Sequence, residues 1–221
     1  MTERIAILGG TGKEGKGLAF RWAKAGYEIV IGSRQIEKAQ IAADDLNALL
    51  QDKNNPVTGL ENHQAADWCD IAVLTVPYSA HQAMLNDIKE CVEGKILVDV
   101  TVPLVPPKVK KVQMPEEGSA ALQAKKILGE NVQVVSAFQN ISYERLMEEG
   151  DIDCDVLVSG SSRDARELIL RLVKDAGMVG WDAGPIENSV VAEGLTSILI
   201  GINSQFGIKD SGIKITGVKR D

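Results

Sequence analysis

A glycine-rich segment near the amino terminus has residue types and spacing suited to holding phosphate groups. Gly10, Gly12 and Gly15 follow an apolar run at residues 4–8 that predicts a buried strand, and a helical pattern comes after them. Gly10 would permit a tight turn, Gly12 would let the backbone approach a pyrophosphate, and Gly15 would let the helix pack closely. The helix amino terminus would offer free N–H groups and partial positive charge to the phosphates. We therefore predict a dinucleotide-binding loop, with a glycine-rich turn that holds no ligand as the alternative.

The end of the predicted second strand indicates which dinucleotide is bound. NAD-specific sites place an acidic residue about 20 positions after the glycines, where it holds the ribose 2′-hydroxyl. This chain has no acid there, because the segment reads Gly32, Ser33 and Arg34. Arg34 can stack on adenine and make bidentate bonds to a 2′-phosphate, Ser33 can donate its hydroxyl, and Lys38 follows in the next helix. Thr11 offers a further donor. The pattern predicts NADP(H), with charges on a solvated helix face as the alternative.

The elements that must position these residues alternate between strand and helix. Such alternation is typical of a parallel sheet covered by helices on both faces, so we predict an α/β fold of Rossmann type, doubly wound and mostly parallel. The predicted strands are residues 4–8, 27–31, 71–76 and 96–100, with a short one at 57–58, and the predicted helices are residues 18–25, 35–51, 62–68 and 79–91.

The second half of the chain predicts a small α/β portion and a final apolar helix. Four prolines, at positions 103, 106, 107 and 115, predict a long surface loop that either packs against a flat ring or only connects two strands. The last helix is apolar enough to be core or to bury a partner subunit in a homodimer. We predict an NADP-binding Rossmann domain at residues 1–136 and a carboxy-terminal portion at 137–221 that packs on it as one compact unit. Further strands are predicted at 132–137, 155–158 and 179–182, and helices at 163–176 and 188–204.

The length, composition, charge and cysteines of the chain indicate a globular protein and limit its partners and location. The chain has 221 residues, of which 44% are hydrophobic and 25% charged, as in ordinary globular domains. A net charge of −7 argues against nucleic acid as a main partner, and no apolar run is long enough to cross a bilayer. The amino terminus leads directly into a strand, which predicts that there is no signal peptide. Three scattered cysteines predict reduced thiols in a cytoplasmic protein.

No residue pattern indicates acid–base, nucleophilic or metal chemistry. His63 and His81 each begin a helix without a partner pattern, so we interpret both as surface or helix-end histidines. The carboxylates are spread over predicted helix faces. We therefore predict no catalytic side chain and no metal ligand.

Segments spread over nearly the whole chain match one protein family in the family's order. They are residues 5–12, 15–19, 31–34, 38–39, 69–77, 135–137, 182–185, 195–196 and 212–214. Together they resemble the NADPH-dependent reductases of coenzyme F-420 (F420), the 8-hydroxy-5-deazaflavin coenzyme. The nucleotide motifs are shared with other NADP reductases, whereas the late segments are more specific.

The resemblance implies a role for each matching residue. Thr11, Gly12, Lys13 and Glu14 would form the pyrophosphate loop, and Ser33, Arg34 and Lys38 the 2′-phosphate clamp. Val76 and Pro77 would form a wall beside the cofactor, Val102 and Pro103 a loop near nicotinamide and deazaflavin, and Ile141 a contact with the deazaflavin ring. Two features depart from the family pattern: residues 105–120 do not align, and Gln139 replaces a histidine of an archaeal member. The Gln139 amide could still hydrogen-bond a deazaflavin carbonyl.

Hydride transfer between two stacked rings needs orientation more than side-chain chemistry. The two carbons must be held at about 3 to 3.5 Å with water excluded, while the rings supply the reactivity. The resemblance thus implies hydride transfer between NADP(H) and F420. Two alternatives share the nucleotide motifs: an NADP-dependent reductase of a flavin, a ferric chelate or a small imine, and a non-catalytic NADP-binding protein.

Overall fold

The described residues form one sheet of eight strands, and its inner strands are short, mostly apolar segments. The computed structural model describes residues 3–50 and 55–218. The strand order is β3-β2-β1-β4-β5-β6-β7-β8, and all neighbours are parallel except β6 and β7. The strands are β1 (Arg4–Leu8), β2 (Glu28–Ser33), β3 (Thr58–Glu61), β4 (Ile71–Leu74), β5 (Ile96–Asp99), β6 (Gln133–Ser136), β7 (Asp155–Gly160) and β8 (Val179–Gly184). This order confirms the predicted doubly wound, mostly parallel α/β fold.

Helices cover both faces of the sheet. They are α1 (Lys13–Lys24), α2 (Ile36–Leu49), α3 (Asn62–Trp68), α4 (Tyr78–Ile88), α5 (Ala120–Leu128), α6 (Tyr143–Leu146), α7 (Arg163–Asp175) and α8 (Ser189–Phe206). The central strand β1 is buried on both sides, with Ile5 and Ile7 facing α1, α2 and α7, and Ala6 and Leu8 facing α3, α4 and α5. Two hydrophobic layers therefore hold the sheet between the helices.

The sequence misplaced the start of one helix and missed two others. Helix α1 begins at Lys13 instead of residue 18, because glycine at position 15 fits against the loop: a Cβ there would lie 2.7 Å from the Gly10 Cα. Helix α5 was missed after the proline-rich segment, although Ser119 caps it by accepting a bond from the Leu122 N–H at 3.0 Å. The short α6 was also missed.

The carboxy-terminal part extends the same sheet. Strand β7 pairs antiparallel with β6, with Val135 opposite Gly160. The hydrophobic layer continues across this junction, since the Trp22 and Phe138 rings meet edge to face with centroids 5.6 Å apart. The predicted division at residue 136 remains a prediction.

The proline-rich segment, residues 100–118, lies across α8. A Cβ at Gly194 would lie 3.3 Å from Met114 and 3.4 Å from Val112, and the Lys110 ammonium donates to the Ser204 hydroxyl at 2.5 Å. The lack of a side chain at Gly194 therefore lets the segment approach the helix. Helix α8 is half core and half surface, as it buries Leu199 but exposes an apolar side. Among the described residues, no helix is both long and apolar enough to span a membrane.

Candidate nucleotide and second-substrate site

The glycine-rich loop turns tightly at the carboxyl end of β1. The Gly10 N–H donates to the Ile7 carbonyl at 3.2 Å and to the Gly32 carbonyl at 3.0 Å. A Cβ at Gly10 would lie 2.6 Å from the Ile7 oxygen, so only glycine fits without a shift of the backbone. The buried Asn62 side chain supports the loop by accepting a bond from the Gly9 N–H at 3.0 Å. Sequence reasoning did not identify Asn62, because its partner is far away in sequence.

Gly12 leaves open space where the loop becomes a helix. It is the N-cap of α1, and its carbonyl accepts the first helical bond, from the Lys16 N–H at 2.9 Å. A Cβ at Gly12 would meet nothing within 4 Å. The first N–H groups of a helix have no partner within it, so they are available here to an anion. The space in front of Gly12 therefore fits a phosphate group.

Lys13 and Glu14 occupy the first turn of α1 without aiming a free charge at that space. The Lys13 ammonium lies 4.6 Å from the centre of the Tyr143 ring and 3.5 Å from its hydroxyl. Its side chain is thus engaged on Tyr143, and its backbone N–H is one of the first N–H groups of the helix, which have no partner within it. Glu14 is half-buried, and burial raises the pKa of its carboxyl to about 8.

The cationic residues after β2 have no acidic partner in the part of the chain that the structure describes. Ser33 is buried, and its Oγ accepts a bond from the Gln35 N–H at 3.3 Å, which leaves the hydroxyl proton free to donate elsewhere. Arg34 and Lys38 are exposed, and within residues 3–50 and 55–218 neither forms a salt bridge. Two uncompensated cations beside a hydroxyl donor are what a 2′-phosphate requires.

The remaining predicted residues follow three neighbouring strands at the same edge of the sheet. Val76 and Pro77 follow β4, with Pro77 as the N-cap of α4. Val102 and Pro103 follow β5, and Gln139 and Ile141 follow β6. Since β1, β4, β5 and β6 are parallel neighbours, their carboxyl ends bring these residues to the edge that carries the glycine loop. Ligands bind at this edge in open α/β sheets.

Gln139 presents an acceptor, which corrects the prediction of a donor. Both amide hydrogens are occupied, since Nε2 donates to the Asp99 carbonyl at 2.7 Å and to the Ser136 hydroxyl at 2.9 Å. The Oε1 atom is buried and has no partner among the described residues. The preceding residue, Phe138, has φ of 73°, a conformation that costs a non-glycine residue about 1–2 kcal/mol. Packing on Trp22 holds that strained backbone in place.

His81 and Asp99 form a buried pair at this edge. His81 lies near the start of α4, as predicted, but it is not on the surface. Nε2 of His81 and Oδ2 of Asp99 are 2.7 Å apart, and both side chains are 0% exposed. Although burial opposes the charged ring, bonds to Asp99 and Gln123 raise the pKa of His81 above its ordinary value. The sequence contains a pattern that indicates burial for each of the two residues. His81 has the spacing of the buried Met84, Leu85 and Ile88, and Asp99 interrupts an apolar strand.

Helix α8 is fastened to the site by polar side chains. The Thr196 hydroxyl donates to the Gln139 carbonyl at 2.8 Å, and the Asn140 amide donates to the Ala192 carbonyl at 2.8 Å. Glu193 is fully buried, so the prediction that carboxylates lie on helix faces was wrong for it as well as for Asp99. Its two oxygens accept bonds from the Ala120 and Ala121 N–H groups at the start of α5, at 2.6 and 3.1 Å. Burial and the charge of Asp99 nevertheless raise its pKa to about 8.

The sheet order and the glycine loop define a Rossmann-type protein of the dinucleotide-binding class. The family model described as "NADP oxidoreductase coenzyme F420-dependent" matches residues 4–103. A protein named F420-dependent NADP reductase from Methanothermobacter marburgensis is 40% identical over 222 residues, covering 97% of this chain and 99% of that one. A protein of the same name from Methanocaldococcus jannaschii is 38% identical, covering 98% and 99%. The chain belongs to the F420-dependent NADP reductase family, which confirms the resemblance found in its sequence.

Solved structures agree with this fold. A candidate F420-dependent NADP reductase from Arthrobacter sp. FB24 has a TM-score of 0.80 and 25% identity, covering 97% of this chain and 99% of that one. A pyrroline-5-carboxylate reductase from Coxiella burnetii has a TM-score of 0.61 at 17% identity, covering 94% of this chain and 73% of that one. The second likeness shows the fold alone.

Proposed function

We propose that this protein is an oxidoreductase that transfers a hydride between NADP(H) and F420. The observation that carries this function is near full-length similarity to two proteins named F420-dependent NADP reductase. The alternative reductases of a flavin, a ferric chelate or an imine share the nucleotide motifs but lack such support along the rest of the chain. The non-catalytic alternative has no observation in its favour.

The loop and the clamp would hold NADP(H) from two sides. The N–H groups at the start of α1 and the space in front of Gly12 would bind the pyrophosphate, with Thr11 as a further donor. Arg34 and Lys38 would pair with the 2′-phosphate, and the Ser33 hydroxyl would donate to it. The absence of an acid at the end of β2 removes the group that selects NAD.

The second ring would lie against residues that follow β4, β5 and β6. Apolar side chains at Val76, Pro77, Val102 and Pro103 would exclude water, and Ile141 would pack against the ring. The two coenzymes supply the hydride chemistry when bound, and this chain's residues orient them. The Gln139 Oε1 atom is buried and has no partner among the described residues, so it would accept a hydrogen bond from an amide or ring N–H of a bound coenzyme once a local rearrangement exposes it. We assign no catalytic acid, base or metal.

The experiment is turnover of F420 with NADPH that carries deuterium at the transferable position. Direct transfer puts the deuterium on C5 of the deazaflavin as the NADPH absorbance falls. Rapid reduction of a flavin, a ferric chelate or an imine with no reduction of F420 would favour another reductase. NADPH binding without turnover of any acceptor would favour a binding protein.

We also infer a homodimer through α8 and a cytoplasmic location. Val191, Leu195, Ile198 and Ile202 recur at helical spacing and are exposed or half-buried, so they form an apolar stripe on the side of α8 away from the sheet. The cysteines Cys69, Cys91 and Cys154 are free and buried, which suits a reducing compartment. Light scattering of Ile198→Glu beside the wild type tests the dimer. A wild type that is already monomeric would overturn it.

A further inference from the structure

A chain of polar side chains runs from the half-buried Gln123 of α5 through the buried His81 of α4 to the buried Asp99 at the end of β5. The Gln123 Oε1 lies 3.2 Å from Nδ1 of His81, and Nε2 of His81 lies 2.7 Å from Oδ2 of Asp99. Neither His81 nor Asp99 is exposed to solvent. A bound coenzyme therefore cannot touch this pair without a rearrangement, and any effect of the pair on the reaction must pass through other residues.

Asp99 contacts two of the three segments proposed to line the second-substrate site, the turn after β5 and Gln139 after β6. Its Oδ1 accepts a bond from the Thr101 N–H at 3.0 Å, which sets the direction of the chain as it leaves β5 for Val102 and Pro103. Its backbone carbonyl accepts the bond from Gln139 Nε2 at 2.7 Å. The side chain of Asp99 has little freedom, because Oδ2 is held by His81 and Oδ1 by Thr101.

A buried ionisable pair is a poor device for stability alone. Taking both groups out of water costs several kcal/mol for each ion, and well-packed apolar residues in such positions are often as stable or more stable. A pair of this kind does fix one geometry, because an imidazole N–H bound to a carboxylate allows few orientations. Asp99 bonds to the Thr101 N–H and to the Gln139 amide, so the fixed geometry of the pair also fixes the position of these two residues.

We propose that His81 and Asp99 are positioning residues for the hydride transfer, which hold the Thr101–Pro103 turn and Gln139 in the arrangement that binds the second ring. This inference rests on the proposed function. It assigns the pair to the F420 side of the site, since the glycine loop and the Arg34 clamp are held by other contacts, those of Asn62, Gly32 and Ser33.

The experiment compares His81→Leu with His81→Gln in the full-length protein. The Gln side chain places a donor nitrogen three bonds beyond Cβ, as far as Nε2 of histidine, so it can restore the bond to Asp99. The dissociation constants of F420 and of NADPH are measured by calorimetry, and kcat and KM for F420 by NADPH absorbance.

We expect His81→Leu to raise the dissociation constant and KM for F420 at least tenfold, since misplacement by about 1 Å can cost about 100-fold. NADPH binding should change less than twofold, and His81→Gln should recover most of the loss. The matched control is His63→Leu, which removes the exposed histidine of α3.

A purely structural role gives a different result. His81→Leu would then lower the melting temperature but leave F420 binding and KM unchanged below that temperature, which overturns the inference. If His81→Leu does not fold, Gln123→Leu replaces it, because it removes the other support of His81 and leaves Asp99 intact. We then expect a smaller rise in the F420 dissociation constant, and no rise overturns the inference. A wild type that does not bind F420 overturns the proposed function as well, whereas normal wild-type binding with unaffected variants overturns the inference alone.

Discussion

Among single residues, Arg34 is the one on which the choice between NADP and NAD depends most. It is exposed, lies directly after β2 and forms no salt bridge with the described residues, so its charge is free for a phosphate. Arg34→Ala should weaken NADPH binding by roughly 1.5 to 3 kcal/mol, about ten- to a hundredfold, while NADH binding changes little. Fluorescence titration of both nucleotides measures this. Arg171→Ala, at an exposed arginine of α7, is the control, and an equal loss for both nucleotides would refute the clamp.

Two glycines of the loop should respond to substitution in opposite ways. A side chain at Gly12 meets no protein atom and the backbone there has φ of −76°, so Gly12→Val should fold normally but block the space for the pyrophosphate. A side chain at Gly10 meets the Ile7 carbonyl at 2.6 Å, so Gly10→Ala should lower the melting temperature itself. Thermal unfolding with and without NADPH separates the two effects. A persistent NADPH-induced shift in Gly12→Val would contradict the loop assignment.

At the scale of elements, the sequence predicted correctly those strands that a local apolar pattern determines. Strands β1, β2, β4 and β5 were found from their apolar runs, because a strand buried on both faces consists mainly of apolar residues. The start of α1 was missed because glycines at positions 15 and 17 look unfavourable for a helix, and the contacts that require them come from distant residues: Thr75 and Leu146. The pairing of His81 with Asp99 was missed for the same reason. The spacing indicates that His81 lies on the buried face of α4 and that Asp99 lies in a buried strand. The two meet only because β5 pairs with β4, the strand that precedes α4.

The fastening of residues 145–150 to α1 depends on one buried arginine. The Arg21 guanidinium donates to five backbone carbonyls, those of Arg145, Leu146, Glu148, Gly150 and Ala176, at 2.6 to 3.4 Å. The surroundings lower the pKa of Arg21 through burial, yet no other side chain could donate in so many directions at once.

Removal of that guanidinium should therefore loosen the segment that carries α6. Arg21→Met keeps the apolar stem but leaves buried carbonyls without donors, so we expect a loss of about 3 kcal/mol and a melting temperature lower by roughly 6 to 12 °C. Arg171→Met provides the matched control. Equal melting temperatures for the two variants would show that water satisfies these carbonyls as well as Arg21 does.

At the scale of the whole molecule, the nucleotide-binding half and the carboxy-terminal part share one sheet and one hydrophobic layer. Trp22 of α1 packs on Phe138 and donates its indole N–H to the Leu172 carbonyl of α7 at 2.8 Å. The edge of β6 that faces away from β5 is covered by β7. A protein cut after residue 136 would expose both the edge of β6 and the inner face of α1.

We therefore expect residues 1–136 alone not to form a stable domain, although the nucleotide motifs all lie within them. An unpaired strand edge promotes association, and the loss of the partners of Trp22 and Arg21 removes contacts that α1 needs in order to present its amino terminus. Circular dichroism during heating should show no cooperative transition for this fragment, and NADPH should not stabilise it. Co-expression with residues 137–221 should restore both properties, because the second fragment supplies β7, α7 and Phe138. Cooperative unfolding of the isolated fragment, with a shift on addition of NADPH, would show instead that residues 1–136 are an independent domain.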